Sequence, residues 1–388
     1  MKICFLTTSF PRNESDTYVP FVGRLAKNLA AKNIGVDVVT SSDSGSRDEV
    51  WGSGLRVHRF SYFFPGMQLL TYKPGGAPEQ IKKKLLAKLQ LPFFILAFIL
   101  KSLKTAKSCD VIHAHWTLSG LVGLILKKLY RKPLIVTIRE GDINSVVNNP
   151  LLVFVLKKAD RVIINNDEYK NRIISAGVNP LKISKILNGV DAVFKPSPKI
   201  KARKELGLPG KKKLILFAGS LISRKNPEIL VDCARELLEK YGAVLVMIGE
   251  GPMKAELENK MREHKDRLIF PGRVPSDRMP LWFNATDIFV LPTSADGIPN
   301  VVTEAMSCGT AVVCTDLESV HELIKDGENA LLFRLNDKPR LTENLELLLR
   351  NSKLRERLAK NARKTIIRRK LTWENCARQH IEIYKQLV

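Results

Sequence analysis

Residues 291–315 read LPTSADGIPNVVTEAMSCGTAVVCT and hold the most informative pattern in the chain. The pattern predicts a strand, a loop rich in turn residues, a helix that opens near Pro299 and a second strand over Ala311–Thr315. Backbone N–H groups at a helix start attract phosphates and electron-rich oxygens. The carboxylates of Asp296 and Glu304 flank this start and accept hydrogen bonds from hydroxyls. Together they suit a ligand with phosphates and hydroxyls, such as a sugar nucleotide.

Six residues occupy matching places of a known signature, E-G-x-P-x-x-x-x-E-A-x-A-x-G-x-P: Asp296, Gly297, Pro299, Glu304, Ala305 and Gly309. The stretch therefore resembles the retaining glycosyltransferases of the GT-B fold in family 4, also called group 1. Asp296 stands where the family usually has Glu, and Ala311 where it usually has Pro. An ordinary α/β crossover with a surface Asp is the alternative for a lone acidic pair. The flanking glycines and prolines, which stand in register, favour the resemblance.

The length of the chain predicts two domains. Its 388 residues, 45% of them hydrophobic, exceed what one ordinary core holds. The resemblance implies an α/β GT-B fold, with two Rossmann-like, doubly wound domains that face a cleft. We expect an N-terminal acceptor-binding domain over 1–190, a linker at Ala192–Lys199, and a C-terminal nucleotide-sugar-binding domain over 191–370. The C-terminal helix, within 371–388, is expected to cross back to the N-terminal domain.

Glycine turns in the second half predict the loops that bind the donor. A strand ends at Gly219 and Ser220, and Arg224 and Lys225 then place two positive charges at a helix start. The resemblance implies that this basic pair holds the donor diphosphate and neutralises the leaving group, with no metal or cofactor required. A merely charged helix start is the alternative. Asp296 is expected to bind the sugar hydroxyls, and Glu304 those of the ribose.

The resemblance implies further donor contacts in the turns that flank the nucleobase and at the central helix start. These residues are Gly249, Arg273, Val274, Gly297, Ile298, Pro299, Asn300 and Val301.

The segment DVIHAHW, residues 110–116, predicts a strand that delivers His115 at its carboxyl end, where ligands of open α/β sheets bind. In the resembled family, a histidine at this place reaches over the donor sugar. His115 is thus expected to set the reaction geometry rather than act as the nucleophile. A satisfied structural histidine is the alternative.

Two loops carry the expected acceptor side. Phe10 and Phe21 match a subset of relatives, although core packing explains them equally well. In TIREGD, residues 137–142, Arg139 and Glu140 replace the usual His-Gly, while Asp142 is kept. Arg139 is expected to meet a phosphate or carboxylate on the acceptor. A surface ion pair between Arg139 and Asp142 is the alternative.

A basic and apolar segment lies between Glu79 and Asp110, which enclose thirty residues without an acidic side chain. Lysines cluster on both sides of the apolar block Leu91–Leu100, which is too short to span a bilayer. A helix of this kind can lie on a membrane surface, so we expect membrane contact through 81–107. The alternative is a core helix that begins at Pro92.

Composition narrows the class of protein further. Six scattered cysteines argue against a disulfide framework or a metal site, and Met1–Thr7 runs directly into a strand without a secretory pattern. We therefore expect a cytoplasmic protein, peripheral at the inner face of the cell membrane. The net charge of +24 favours anionic partners. Nucleic acid is not expected, because no nucleic-acid-binding motif accompanies the charge.

The resemblance implies retaining transfer of a sugar from a nucleotide diphosphate sugar to a hydroxyl. The basic apolar segment favours a lipid-linked or cell-surface polysaccharide acceptor. A catalytically silent relative, which binds a sugar nucleotide or serves as a membrane partner subunit, is the alternative. The departures at Asp296 and at Arg139-Glu140 support that alternative.

Overall fold

The computed structural model describes residues 1–14, 16, 19–43, 46–64, 66–73, 76–139 and 142–388. The chain forms two compact units, Met1–Gly189 with Trp373–Val388, and Val190–Thr372. The chain enters and leaves the second unit side by side, because Val190 pairs with Thr372 in a short β-bridge. The units thus divide after Gly189 and after Thr372, whereas the sequence placed these divisions after residues 190 and 370.

The first unit is built on an eight-stranded sheet, counted over the described residues. Its strands are β1 (Lys2–Thr7), β2 (Gly35–Ser41), β3 (Glu49–Trp51), β4 (Leu55–Phe60), β5 (Val111–His115), β6 (Leu134–Thr137), β7 (Arg161–Ile164) and β8 (Ile183–Lys185). The spatial order is β3-β4-β2-β1-β5-β6-β7-β8, parallel throughout except where β3 meets β4. The order reverses between β1 and β5, so ligands are expected outside the carboxyl ends of these two strands.

Helices cover the first sheet: α1 (Pro20–Ala30), α2 (Gly76–Lys83), α3 (Leu85–Ser108), α4 (Thr117–Tyr130), α5 (Ile143–Val147), α6 (Pro150–Lys158), α7 (Asp167–Ser175) and α15 (Trp373–Lys385). One apolar core includes residues of α3, α4 and α6, and a second includes residues of α1 and α15. The last helix therefore belongs to the first unit, where Trp373 and Tyr384 are buried beside Leu25 of α1.

The second unit has a six-stranded parallel sheet in the order β11-β10-β9-β12-β13-β14. Its strands are β9 (Leu214–Ala218), β10 (Val244–Ile248), β11 (Leu268–Gly272), β12 (Ile288–Leu291), β13 (Ala311–Thr315) and β14 (Leu331–Phe333). Its helices are α8 (Lys199–Glu205), α9 (Pro227–Lys240), α10 (Lys254–Lys260), α11 (Met279–Ala285), α12 (Asn300–Cys308), α13 (Lys338–Arg350) and α14 (Ser352–Arg368). The strand order reverses between β9 and β12. The predicted linker was one residue too long, because Lys199 already opens α8.

Helix α3 differs from its prediction in two ways. It spans 24 residues, well beyond the apolar block Leu91–Leu100, and by length and composition alone the whole helix is apolar enough to cross a membrane. Pro92 lies inside the helix rather than at its start. Proline lacks the N–H that would bond the carbonyl of Lys88.

The apolar side chains of α3 form a buried group and an exposed group. The first corresponds to the core-helix alternative, and the second could serve the expected membrane contact. Phe94 and Phe98 are fully buried in the core, as the core-helix alternative required. Leu89, Phe93 and Leu96 on other faces are each more than half exposed. The helix is therefore a core element that also presents apolar side chains to its surroundings.

Candidate functional site

The reversal of strand order in the second unit brings three predicted residues into direct contact. Arg224 and Lys225 form a short 3-10 turn after β9, and Asp296 follows β12. Lys225 Nζ lies 2.7 Å from Oδ1 and 2.5 Å from Oδ2 of Asp296. Arg224 Nη1 donates to the carbonyl of Ala295 at 2.7 Å and lies 3.4 Å from Asp296 Oδ1. Two cations thus face one carboxylate, which leaves an excess positive charge at this point.

The three side chains differ sharply in their access to solvent. The Asp296 side chain is 2% exposed, that of Lys225 15% and that of Arg224 44%. Asp296 is fixed further by its backbone carbonyl, which accepts a hydrogen bond from Ser319 Oγ at 2.7 Å. An anionic ligand therefore meets the guanidinium of Arg224 first and the deeper ammonium of Lys225 second.

Glycine turns after β9 and β10 lie backbone against backbone beside this cluster. Gly219 N donates to the carbonyl of Ile248 at 3.0 Å, and Gly249 N donates to that of Gly272 at 2.9 Å. Gly249 has φ +136°, and a Cβ atom there would lie 1.9 Å from the carbonyl oxygen of Gly219. Only glycine fits such an approach. The predicted donor residues Gly219 and Gly249 are thereby placed at one edge of the sheet.

The remaining donor-site predictions lie on the same edge or on α12. Ser220 and Arg273 are exposed, and Val274 is half-buried after β11. Four residues form the turn into α12 or its first turn: Ile298, Pro299, Asn300 and Val301. Pro299 is the N-cap residue and has no side-chain oxygen with which to cap the helix. Glu304 is buried at the fifth residue of α12.

The reversal of strand order in the first unit places His115 at the end of β5. Its ring is fully buried between Phe5, with centroids 4.6 Å apart, and His113, with centroids 4.4 Å apart. Arg139, just beyond β6, has Nη2 3.5 Å from His115 Nδ1. Burial, and then the neighbouring His113 and Arg139, lower the pKa of His115 well below its ordinary value. The imidazole is therefore neutral at physiological pH.

Arg139 is also buried, which a sequence alone does not anticipate for an arginine in a loop. Its Nη1 donates to Asn188 Oδ1 at 2.8 Å, and its guanidinium lies 4.8 Å from the ring centroid of Phe21. Burial lowers the pKa of Arg139 to about 10. The alternative of a surface pair with Asp142 was wrong, because both residues are buried and each has a different partner. Glu140 lies outside the described residues.

Asp142 fastens the loop after β6 to the start of α4. Its Oδ2 accepts from the backbone N–H of Thr117 at 2.8 Å, and its Oδ1 accepts from Thr117 Oγ1 at 2.6 Å. Burial raises the pKa of Asp142 to about 6, against the opposing effect of the Thr117 hydrogen bonds. Both of its oxygens are engaged in holding the loop. Asp142 thus supports Arg139 by fixing the segment that carries it.

Phe10 is fully buried against Trp51, with ring centroids 5.1 Å apart, and its carbonyl accepts from Tyr72 Oη at 2.8 Å. These contacts are those of a core residue. Phe21 is only partly buried and lies between Arg139 and Trp116. Of the two phenylalanines, Phe21 is the one that faces the His115 region.

Sequence reasoning missed a polar network beneath His115. His113 Nδ1 lies 2.8 Å from Tyr384 Oη, and His113 Nε2 lies 2.7 Å from Thr137 Oγ1. His380 lies nearby, with its ring centroid 5.7 Å from that of His113. Tyr384 and His380 belong to α15, some 270 residues away along the chain. No local sequence pattern predicts this contact between α15 and β5. Only the expected return of the C-terminal helix to the N-terminal domain could have suggested it.

Comparison with known proteins identifies the class. The family model described as Glycosyltransferase Family 4 matches residues 20–194, and the one described as Glycosyl transferases group 1 matches residues 198–365. The two matches adjoin and together cover most of the chain. The chain is therefore a glycosyltransferase of the GT-B fold, a glycosyl-transferring enzyme.

Individual relatives span nearly the same length. A D-inositol 3-phosphate glycosyltransferase of Nocardioides sp. is 26% identical, over 94% of this chain and 84% of the relative. An uncharacterized glycosyltransferase of Methanocaldococcus jannaschii is 27% identical, over 99% of this chain and 98% of the relative. A sucrose-phosphate synthase structure from Thermosynechococcus elongatus has a TM-score of 0.80 at 22% identity, over 100% and 98%. The structure of Anabaena HepE in complex with UDP has a TM-score of 0.76 at 21% sequence identity, and the match covers all of both chains. These structures establish the fold.

Proposed function

We propose that this glycosyltransferase moves a sugar, with retention of configuration, from a nucleotide diphosphate sugar to a hydroxyl of a lipid-linked or cell-surface polysaccharide acceptor. The observation that carries the donor side is the contact of Arg224 and Lys225 with Asp296 where the strand order reverses. A charged pair beside glycine turns and a helix start is suited to a diphosphate, because fixed donors there meet negative charge.

Each donor-side residue has a role in this proposal. Arg224 and Lys225 bind the diphosphate and neutralise the charge that develops on it as the bond to the sugar breaks, so no metal or cofactor is required. When Lys225 turns to the diphosphate, Asp296 becomes available to the sugar hydroxyls. Glu304 binds the ribose hydroxyls, and Arg273 and Val274 flank the base. The exchange of partners at Asp296 couples donor binding to recognition of the sugar.

His115 orients the reactants rather than attacking the sugar. In a retaining transfer, the acceptor hydroxyl approaches the face that the nucleotide leaves. A neutral imidazole offers one N–H and one lone pair, so it can hydrogen-bond a hydroxyl without adding charge. The low pKa of His115 supports this role, because the ring stays neutral over the pH range of a cell.

The experiment that tests this function measures nucleotide release from UDP-, GDP- and ADP-sugars by the purified protein. UDP-glucose is the first donor to test, because Anabaena HepE has been solved with it. We expect slow hydrolysis of one donor that persists in EDTA and falls at least tenfold in His115→Ala. Proton NMR of the glycoside formed with an acceptor reports whether configuration is retained. Tight nucleotide-sugar binding without turnover would instead support the catalytically silent alternative.

We also propose that the first unit contacts the inner face of the cell membrane through residues 81–107, which makes the protein cytoplasmic and peripheral. The exposed apolar side chains of α3 can enter the lipid interface while nearby exposed lysines meet anionic headgroups. The lysines concerned are Lys82, Lys84, Lys88, Lys104 and Lys107. A spanning helix is disfavoured, because Phe94 and Phe98 would have to leave the core.

Substituting Leu89, Phe93 and Leu96 by Ser is expected to weaken co-sedimentation with phosphatidylglycerol vesicles by at least tenfold. Each side chain contributes about 1.5–3 kcal/mol when it is fully withdrawn from water. The matched control is Ile200→Ser, which alters a strongly exposed isoleucine of the second unit. Vesicles of neutral phosphatidylcholine should bind the wild type weakly. Unchanged binding by the triple variant would refute the contact, and resistance of the membrane-bound protein to alkaline carbonate would indicate a spanning helix.

A further inference from the structure

The contact between Arg139 and His115 determines which imidazole nitrogen carries the proton. Nη2 of Arg139 lies 3.5 Å from Nδ1 of His115. A guanidinium has donors only, so the nitrogen that faces it must present its lone pair. In a neutral ring, the hydrogen is then on Nε2. The geometry therefore selects one of the two neutral tautomers of His115.

The other ring nitrogen, Nε2, then carries an N–H donor for which the described residues provide no acceptor. Nε2 of His115 is buried and has no hydrogen-bond partner among the residues that the structure describes. Leaving a buried N–H unpaired is unfavourable, because the group has given up its hydrogen bond to water and gained none in return. Such a group in a native protein calls for an explanation, and a role toward a bound molecule is one of the few available. The family resemblance in β5 had indicated the residue but not which of its nitrogens is offered.

The groups packed around His115 leave Arg139 as the charged one. His113 of β5 and His380 of α15 are buried, and burial, as the largest cause, lowers the pKa of each. Burial likewise raises the pKa of Cys376 to about 12 and raises that of Tyr384, both on α15. These four side chains are neutral near pH 7. Within the described part of the chain, Arg139 is thus the charged group that acts on His115.

Arg139 itself is held where stability alone would not place it. It is buried, and the partners that its guanidinium has among the described residues include no carboxylate. Its support comes from Asn188 Oδ1 and the face of Phe21, and its Nε also lacks a partner within those residues. A buried cation without an acid partner carries a desolvation cost that a hydrophobic residue would avoid. We therefore look for the role of Arg139 in its effect on His115.

We propose that Arg139 is a positioning residue for His115: its guanidinium donates to Nδ1 and holds the neutral ring with Nε2–H as the donor offered to a substrate hydroxyl. The identity of that hydroxyl rests on the proposed function, whereas the tautomer does not. Asn188 and Phe21 fix the guanidinium, and Phe5 and His113 fix the plane of the imidazole. Arginine at this place, where relatives usually have histidine, supplies a partner that can only donate.

Nitrogen NMR of the ligand-free protein, labelled with 15N at histidine, tests the tautomer directly. The chain has six histidines, and the His115 resonances are assigned by their loss in His115→Gln. We expect a protonated Nε2 and an unprotonated Nδ1 for His115 throughout pH 6–8. A proton on Nδ1, or a doubly protonated ring in this range, would overturn the proposal. Because no substrate is present, this result is independent of whether glycosyl transfer is found.

Variants at Arg139 separate positioning from mere packing. In Arg139→Met, we expect the Nδ1–H tautomer to become populated and kcat to fall about 10- to 100-fold, while the KM for the donor changes little. Arg139→Lys, which also donates only, should keep the Nε2–H tautomer and recover part of kcat. Arg161→Met, a partly exposed arginine of the same unit, is the matched control and should change neither. Retention of the tautomer in Arg139→Met refutes the proposal, and if that variant fails to fold, the wild-type spectrum decides.

Discussion

Replacing Lys225 by Met is expected to lower kcat/KM for glycosyl transfer by about 10²- to 10³-fold. That is the usual loss when one fixed donor to a developing negative charge is removed from an enzyme site. Lys225 is the deeper of the two cations, and its ammonium lies within hydrogen-bond distance of both Asp296 oxygens. Without it, the leaving diphosphate keeps only Arg224, whose more exposed side chain is better screened by water. Steady-state kinetics with the donor identified in the hydrolysis panel measures the loss.

Two further variants keep this prediction from being confused with damage to the fold. Lys225→Met leaves the buried Asp296 with a weaker partner, so some destabilisation is expected in thermal unfolding. Adding Asp296→Asn removes the uncompensated charge and should restore stability without restoring activity. Lys254→Met, which loses an exposed pair with Glu258 and a contact with the Phe270 ring, is the matched control and should leave kcat/KM unchanged. Activity within threefold of wild type in folded Lys225→Met would contradict the proposed role.

Much of the donor side could be predicted from the sequence because its parts lie on short, continuous patterns. Strand β13 was predicted with the bounds that the structure has, since it is a fully buried run bordered by turn residues. Parallel strands bring their carboxyl ends to one edge, so the loops that follow them meet there. The contact of Lys225 with Asp296 still needed coordinates, because 71 residues separate the two and only the strand order puts β9 beside β12.

The acceptor side resisted prediction for two physical reasons. The first is burial that no local pattern encodes: Arg139 and Asp142 look like loop residues at the surface, yet both are buried and have separate partners. The second is that helix α3 both packs in the core and exposes apolar side chains. The sequence of α3 is apolar on several faces, so periodicity did not reveal that Phe94 faces the core while Phe93 faces outward.

Replacing Asp287 by Asn is expected to destabilise the second unit by about 3–5 kcal/mol, the cost of breaking a buried ion pair on one side. The Asp287 and Arg203 side chains are 4% and 5% exposed, and Arg203 Nη2 donates to Oδ2 at 2.7 Å. The same oxygen accepts from the backbone N–H of Leu214 at 2.8 Å, and Lys199 Nζ donates to Oδ1 at 2.7 Å. Asn keeps the shape but leaves the buried guanidinium without its counter-charge. Thermal unfolding should show a drop in Tm of roughly 10 °C.

The pH dependence of the loss of Tm in Asp287→Asn distinguishes an electrostatic effect from a packing effect. Burial, the largest single influence, raises the pKa of Asp287, but Lys199, Leu214 and Arg203 together outweigh it and hold that pKa below its ordinary value. A carboxylate with a lowered folded-state pKa stabilises the fold above its unfolded pKa of about 3.9 and loses that contribution as the pH falls further. The gap in Tm between wild type and Asp287→Asn should therefore be largest near pH 7 and narrow below about pH 4.

Asp287 also offers a way to separate stability from chemistry within one strand. It precedes β12, whereas Asp296 follows it, so the two acids lie toward opposite ends of the same strand. Below the lowered Tm, Asp287→Asn should retain a kcat within about threefold of wild type, in contrast to Lys225→Met. Asp266→Asn, an exposed acid of the same unit, is the matched control and should change Tm by no more than about 2 °C. A Tm loss equally small in Asp287→Asn would show that the neutral amide satisfies Arg203 as well as the carboxylate does.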